Sequence, residues 1–227
     1  MDNALTLVGL LVFFGYCGWQ IWNWYRNRGL TRAEIIGKAG EAHIVAALKK
    51  LKTKQAILRN VYLPHPTDQG AFTEIDILYI DKRGIVIVES KNYDGTIYPN
   101  IKGKDWTYYN HGQKYPFFNP LWQNNLHKNA LEQILPGNYT DNLYPVVVFG
   151  NHAEIKKLRP DQRLKFGIFY TRDLAKHLTR HFEGRSVVID DEKKAELLEL
   201  LHPYLNASEE QKAAHIQYIQ NKHPKDC

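Results

Sequence analysis

Phe72-Thr73-Glu74-Ile75-Asp76-Ile77-Leu78-Tyr79-Ile80 is followed, after Asp81-Lys82-Arg83, by Gly84-Ile85-Val86-Ile87-Val88-Glu89-Ser90-Lys91. Two runs rich in Ile, Val and Tyr around a polar, glycine-ended turn predict two paired strands. Side chains alternate along a strand, so Glu89 and Lys91 share a face at the polar end of the second, and Glu74 and Asp76 share one on the first. Pairing through the turn brings Asp76 and Glu89 together. Two carboxylates at short range repel unless a cation lies between them, and hard oxygen donors suit Mg²⁺ or Mn²⁺. A lysine beside that cation orients or deprotonates a water. This is the equipment of metal-assisted phosphodiester hydrolysis, in which the metal polarises the phosphate and lowers the pKa of the attacking water. A lone Glu-x-Lys is mostly a solvent-facing strand end; the acid on the preceding strand gives this one its weight.

Working outward, Thr31 to Leu51 is predicted helical. Thr31 and Glu34 form a capping-box pattern, and Ile35, Ile36, Ala39, Ala42, Ile44, Val45 and Leu48 supply an apolar stripe. A strand near Ala56 to Leu63 precedes the pair, completing a meander. Gly95 to Asn119 reads as small strands or an extended excursion. Pro120 opens a helix to about Leu135, Tyr144–Phe149 and Phe166–Tyr170 are buried strands, and Thr171–Phe182 is a helix. Asp190–Leu205 and Ser208–Asn221 read as charged amphipathic helices. The order αβββαβ with additions describes an α/β domain of two or three layers.

Four blocks, Gly37-Lys38-Ala39-Gly40-Glu41, Thr73-Glu74-Ile75-Asp76, Gly84 to Asn92, and Asn119-Pro120-Leu121-Trp122-Gln123 with His127, together resemble the nuclease-related domain (NERD) family. That family is grouped with the PD-(D/E)xK nucleases, and the resemblance covers about Gly37 to Gly150. It implies a restriction-endonuclease-like αβββαβ core in which Asp76 and Glu89 bind Mg²⁺ or Mn²⁺ and Lys91 supports the nucleophilic water. Glu41 matches an acid that completes the metal site, and Gln123 a glutamine near the scissile phosphate. Ile77 departs from the histidine often found after the aspartate. Each residue also has a plainer reading: Glu41 as a solvated helix acid, Glu74 as a structural acid beside the ligands, His127 as a structural hydrogen-bond partner. Gln123 and His127, four apart, share a helix face.

The 227 residues carry 30 Lys plus Arg against 24 Asp plus Glu, a formal charge of +6, with 44% hydrophobic residues, which excludes a disordered tail or a disulfide-stapled miniprotein. The charge is uneven: residues 1–25 hold no Lys or Arg and one acid, Asp2. Ala4 to Tyr25 is apolar over about the 20 residues a helix needs to cross a bilayer. Its end carries Trp19, Trp22, Trp24 and Tyr25, followed by Arg26, Arg28 and Arg32, which predicts an uncleaved single-pass helix with the amino terminus out and the remainder cytoplasmic. A cleaved signal would want a basic start and a small-residue site. Cys17 and Cys227 are not placed to staple the soluble part, as suits a reducing compartment. The expected organisation is an anchor and basic flank at 1–28, a nuclease-like domain at 31–185 and a helical extension at 186–227.

A basic soluble part suits a polyanion, with Lys49, Lys50, Lys52, Lys54, Lys102, Lys104 and Lys114 as candidate contacts. Seven aromatics between Trp106 and Trp122 either stack on bases or close a small core. His177 and His181, lacking the Glu of a zinc-protease motif, are expected to be solvated, and no Walker-type phosphate loop is present. The expected function is a membrane-anchored Mg²⁺-dependent nuclease acting on DNA rather than RNA. The alternative is a catalytically inactive, membrane-tethered module that binds nucleic acid or protein.

Overall fold

The computed structural model describes Tyr16 and residues 31–51 and 55–222. The expected membrane span (but for Tyr16), Arg26, Arg28, Lys52 and Lys54 lie outside the described residues; among those described, no helix is long and apolar enough to cross a membrane. The chain divides into two compact units, Met1–Ala39 and Gly40–Cys227. In the first, the opening of helix α1 (Arg32–Lys49) is capped reciprocally. The Thr31 amide donates to Glu34 Oε2 at 2.7 Å and the Glu34 amide to Thr31 Oγ1 at 3.3 Å.

The second unit holds a five-stranded sheet in the order β1 (Ala56–Pro64), β2 (Phe72–Asp81), β3 (Gly84–Lys91), β7 (Leu143–Phe149), β9 (Ile168–Tyr170). The meander β1–β2–β3 is antiparallel, whereas β3, β7 and β9 run parallel. Parallel strands require crossovers, and helices α2 (Pro120–Ile134) and α3 (Pro160–Lys165) lie on them. Both faces of the sheet are covered. On one, Leu63, Leu78, Ile85 and Ile87 meet Ala130 and Leu131 of α2 and Leu197 and Leu201 of α5 (Asp191–Leu201). On the other, Tyr79, Val86, Val88 and Val148 meet Ile44 and Leu48 of α1 and Leu174 and Leu178 of α4 (Thr171–Phe182). This is a mixed α/β fold with the predicted αβββαβ order and six α-helices among the described residues, closed by α6 (Glu209–Lys222).

The excursion folds as a second sheet, β6 (Gln113–Phe118), β5 (Asp105–Asn110), β4 (Thr96–Tyr98), β8 (Glu154–Ile155). Trp106 and Phe117 are buried in its core with Phe149 of the main sheet, while Tyr109, Tyr115 and Trp122 stay exposed. Gly95 enters this sheet at φ +150, and a Cβ there would lie 2.2 Å from the Tyr109 carbonyl oxygen, which only glycine avoids. Asn119, fully buried, joins the excursion to α2. Its Nδ2 donates to the carbonyls of Gly103 at 2.8 Å and Asn100 at 3.2 Å, and its Oδ1 accepts from the Leu121 amide at 3.0 Å.

Three expectations differ from what is observed. The strand expected from Phe166 starts at Ile168, because Phe166 closes α3 and Gly167 turns at φ +66. The helix expected to reach Leu205 ends at Leu201, and Pro203 continues it as a 3₁₀ turn, having no amide to donate. His177 and His181 are half-buried: His181 stacks on Tyr144 at 3.8 Å, and His177 stacks on Phe169 at 4.0 Å and bonds the Tyr144 hydroxyl at 2.9 Å.

Candidate active site

The register that positions the acids runs from Asp81–Gly84 at the turn to Ile77–Val88. Along β3, Ile85 and Ile87 face α2, so Glu89 and Lys91 continue that face. The strand opposite is irregular at the critical point. Leu58 and Leu78 face α2, and so do Val61 and Ile75, so both strands change phase between those pairs. Asn60, at φ +53, lies in the gap opposite Asp76. The left-handed residue absorbs the switch.

Asp76 Oδ2 accepts from the Ser90 amide at 2.7 Å. Glu89, buried, is held at both oxygens: Oε1 lies 2.8 Å from Lys91 Nζ and Oε2 lies 3.0 Å from His127 Nε2. A carboxylate only accepts, so Nε2 carries the proton, and His127 Nδ1 meets the Thr73 hydroxyl at 2.8 Å. Lys91 also donates to Gln123 Oε1 at 3.1 Å. Both partners come from α2, which is fastened to the strands by Asn124: its Nδ2 donates to the carbonyls of Ile87 at 3.1 Å and Val146 at 2.8 Å.

Burial and the charge of Glu89 push the Asp76 carboxyl well above its ordinary value, against the opposing pull of Lys91 and the Ser90 amide. Burial also acts to raise Glu89, but Lys91 and His127 outweigh it and hold Glu89 below the usual range. Lys91, which burial alone would lower, is held above its ordinary value by the Glu89 carboxylate. It therefore stands as a charged donor rather than a base.

Five of the predicted residues converge: Asp76, Glu89, Lys91, Gln123 and His127. Glu41 is bound to Arg59, Oε2 to Nη2 at 2.7 Å, although its charge is felt at Asp76. Glu74 takes other partners. Asn60 Nδ2 donates to it at 2.6 Å, His215 Nε2 lies 3.9 Å away, and its charge adds to burial in raising the Tyr62 phenol. Sequence reasoning missed Thr73, Ser90 and Asn124. Strand alternation places Thr73 on the face of Glu89 only once the phase change at Asn60 is known. The Ser90 contact is a backbone amide and has no residue-type signal.

Among the described residues, no three His, Cys, Asp or Glu side chains gather as a ligand set. The remaining donors are the two carboxylates of Asp76 and Glu89. That suits Mg²⁺, which keeps several waters and takes one or two carboxylates, better than a site built wholly of protein ligands. The raised Asp76 beside Glu89 is the like-charge arrangement that a cation relieves.

The nuclease-related domain profile matches residues 36–150, a span that includes every residue of this cluster. A protein of Bacillus anthracis, itself uncharacterised, is 29% identical over 193 residues, covering 83% of this chain and 86% of that one. The crystal structure of a protein of unknown function is similar over 80% of this chain and 96% of its own, at 12% identity and a TM-score of 0.36, too slight a likeness to carry an argument.

Proposed function

Because the chain belongs to the nuclease-related domain family, we propose that it is a metal-dependent nuclease that hydrolyses phosphodiester bonds, with DNA as its substrate. The observation that carries the reading is the Asp76–Glu89–Lys91 cluster on paired strand ends, braced from α2 by Gln123 and His127. Asp76 and Glu89 would hold Mg²⁺ or Mn²⁺, which when bound polarises the phosphate and acidifies a water. The protein's own part is positioning and charge. His127, itself oriented by Thr73, fixes one oxygen of Glu89. Gln123 steers the Lys91 ammonium, which donates toward the anionic phosphate as charge develops. Glu41 supplies negative charge from α1 once Arg59 releases it.

The anchor and orientation belong to the same proposal: Ala4 to Tyr25 would tether the nuclease-like domain, 31–185, to the inner face of a membrane. What supports this is the apolar run with its aromatic and arginine end. Carbonate-resistant membrane association of the full chain, lost on deleting 1–28, is the expected result.

A second reading, a binding module without the reaction, is favoured by the engagement of both Glu89 oxygens and of Glu41 within the protein. The full-length chain incubated with plasmid and linear DNA in Mg²⁺ or Mn²⁺ separates the two. Cleavage that disappears in Asp76→Ala and Lys91→Ala supports the nuclease; no cleavage with either metal, or equal cleavage by the variants, leaves the binding module.

A further inference from the structure

The three parallel strands end side by side, and the residues that leave them, Asn92 after β3, Asn151 and His152 after β7, and Arg172 after β9, line a cavity of about 500 Å³. His43 of α1 and Lys50, the residue just after that helix, complete its wall. The crevice beyond the carboxyl ends of parallel strands is where open α/β sheets bind ligands. Ser90 also lines it and faces away from Lys91, so the cavity opens on the sheet face opposite Lys91, while the Ser90 amide holds Asp76.

Its chemistry is one-sided. Lys50, Arg172 and two imidazoles line it, with no aspartate or glutamate. Among the described residues, the side chains of His43, Lys50 and His152 join no hydrogen bond or ion pair. Arg172 is set in place: its guanidinium stacks 4.5 Å from the Tyr170 ring centroid and donates from Nη1 to the Asn151 carbonyl at 3.3 Å. Its neighbour Asp173 lies 3.9 Å away with both side chains more than half exposed, a weak competitor for that charge. The floor is Asn92, which fits there because Gly40 has no side chain: a Cβ at residue 40 would stand 2.6 Å from Asn92 Cβ.

We propose that this cavity binds a phosphate-bearing nucleotide of the nucleic-acid strand, across the end of β3 from the phosphodiester presented to Asp76 and Glu89. The volume suits one nucleotide, since small-molecule sites span roughly 300–1,000 Å³. A stacked guanidinium with a lysine is the donor set that recognises phosphate. The proposal rests on the nuclease reading for its substrate, and its test is a binding measurement that needs no cleavage.

In EDTA, the full-length chain is titrated by fluorescence anisotropy with internally labelled single-stranded oligonucleotides ending in phosphate or hydroxyl, and with circular single-stranded DNA as competitor. Arg172→Ala and Lys50→Ala, both at exposed positions, are each expected to weaken binding about tenfold. Together they lower the slope of log affinity against log salt by about one. Asp76→Asn, which removes cleavage under the nuclease reading, retains the binding. A preference for phosphate ends identifies a terminal phosphate as the occupant, and equal competition by circular DNA identifies an internal phosphodiester. Unchanged affinity and salt slope in the double variant overturn the proposal, whatever the separate Mg²⁺ cleavage assay gives.

Discussion

His127 Nε2 stands 3.0 Å from Glu89 Oε2, both side chains almost fully buried, and the far nitrogen of the same ring meets Thr73. Removing the ring leaves two buried polar groups short of a partner. His127→Ala is expected to cost about 1–3 kcal/mol of stability and, by freeing Glu89, about 10- to 100-fold in DNA cleavage. His127→Gln, which still donates to Glu89, should recover part of both. Thermal unfolding and plasmid cleavage check this; full activity in His127→Ala would remove the histidine from the mechanism.

Asp76→Asn is expected to abolish cleavage while raising the stability of the metal-free protein. A carboxyl whose folded value lies above its ordinary 3.8 binds its proton more tightly folded than unfolded. Its contribution is therefore most favourable in acid and declines as pH rises from the ordinary value through the raised one. The amide removes the repulsion and flattens that segment of the profile. Urea unfolding in EDTA across about pH 4 to 8 reads the difference, and a variant less stable than the parent at neutral pH contradicts it.

Addition of Mg²⁺ or Mn²⁺ should raise the melting temperature, since an ion bound only by the folded state stabilises it by about 2.7 kcal/mol at a hundred times its Kd. The shift should vanish in Asp76→Asn and in Glu89→Gln. A shift retained in both places the ion elsewhere.

His181 is pushed down from 6.5 to about 4, first by burial and then by the nearby charge of Arg185 and by His177. A depressed histidine binds its proton more weakly folded than unfolded. Its stabilising contribution is intact above 6.5 and is lost as pH falls from there toward about 4. His181→Phe keeps the stack on Tyr144 and should soften the acid limb of a denaturation profile; an unchanged limb contradicts the assignment.

Gly95→Ala forces a side chain into left-handed backbone and against the Tyr109 carbonyl. It should cost about 1–3 kcal/mol from the backbone alone, and more from the collision. Protease sensitivity confined to residues 93–118 would locate the damage in the second sheet.

The hairpin and its two acids were legible because a strand pair with a short turn has one natural register, and Asp81–Gly84 sets it. Helix α2 was legible from Pro120, a proline at the first helical turn, whereas the Asn119 cap before it emerged from the structure. The second sheet was foreseen only as short strands. Its edge strand β8 has two residues, Glu154 and Ile155, too few to show a period, and reaches β4 from a distant part of the chain. In the site, strand alternation put Glu89 and Lys91 on one face and helix spacing put Gln123 and His127 on another, but only the family resemblance implied that Gln123 belongs to the site. The Glu41–Arg59 pair was not legible, because it joins a helix to a strand 18 residues on and depends on how α1 crosses the sheet. Nor was the phase change at Asn60: asparagine tolerates left-handed backbone, yet most asparagines never adopt it.

The side chain of Asn119 makes a mechanical joint. One amide grips the turn at residues 100–103 and also starts the helix whose next turn carries Gln123. The β4–β5 turn of the second sheet and the helix that carries Gln123 therefore share one side chain. Loss of that one amide would release the turn and uncap the helix at the same time.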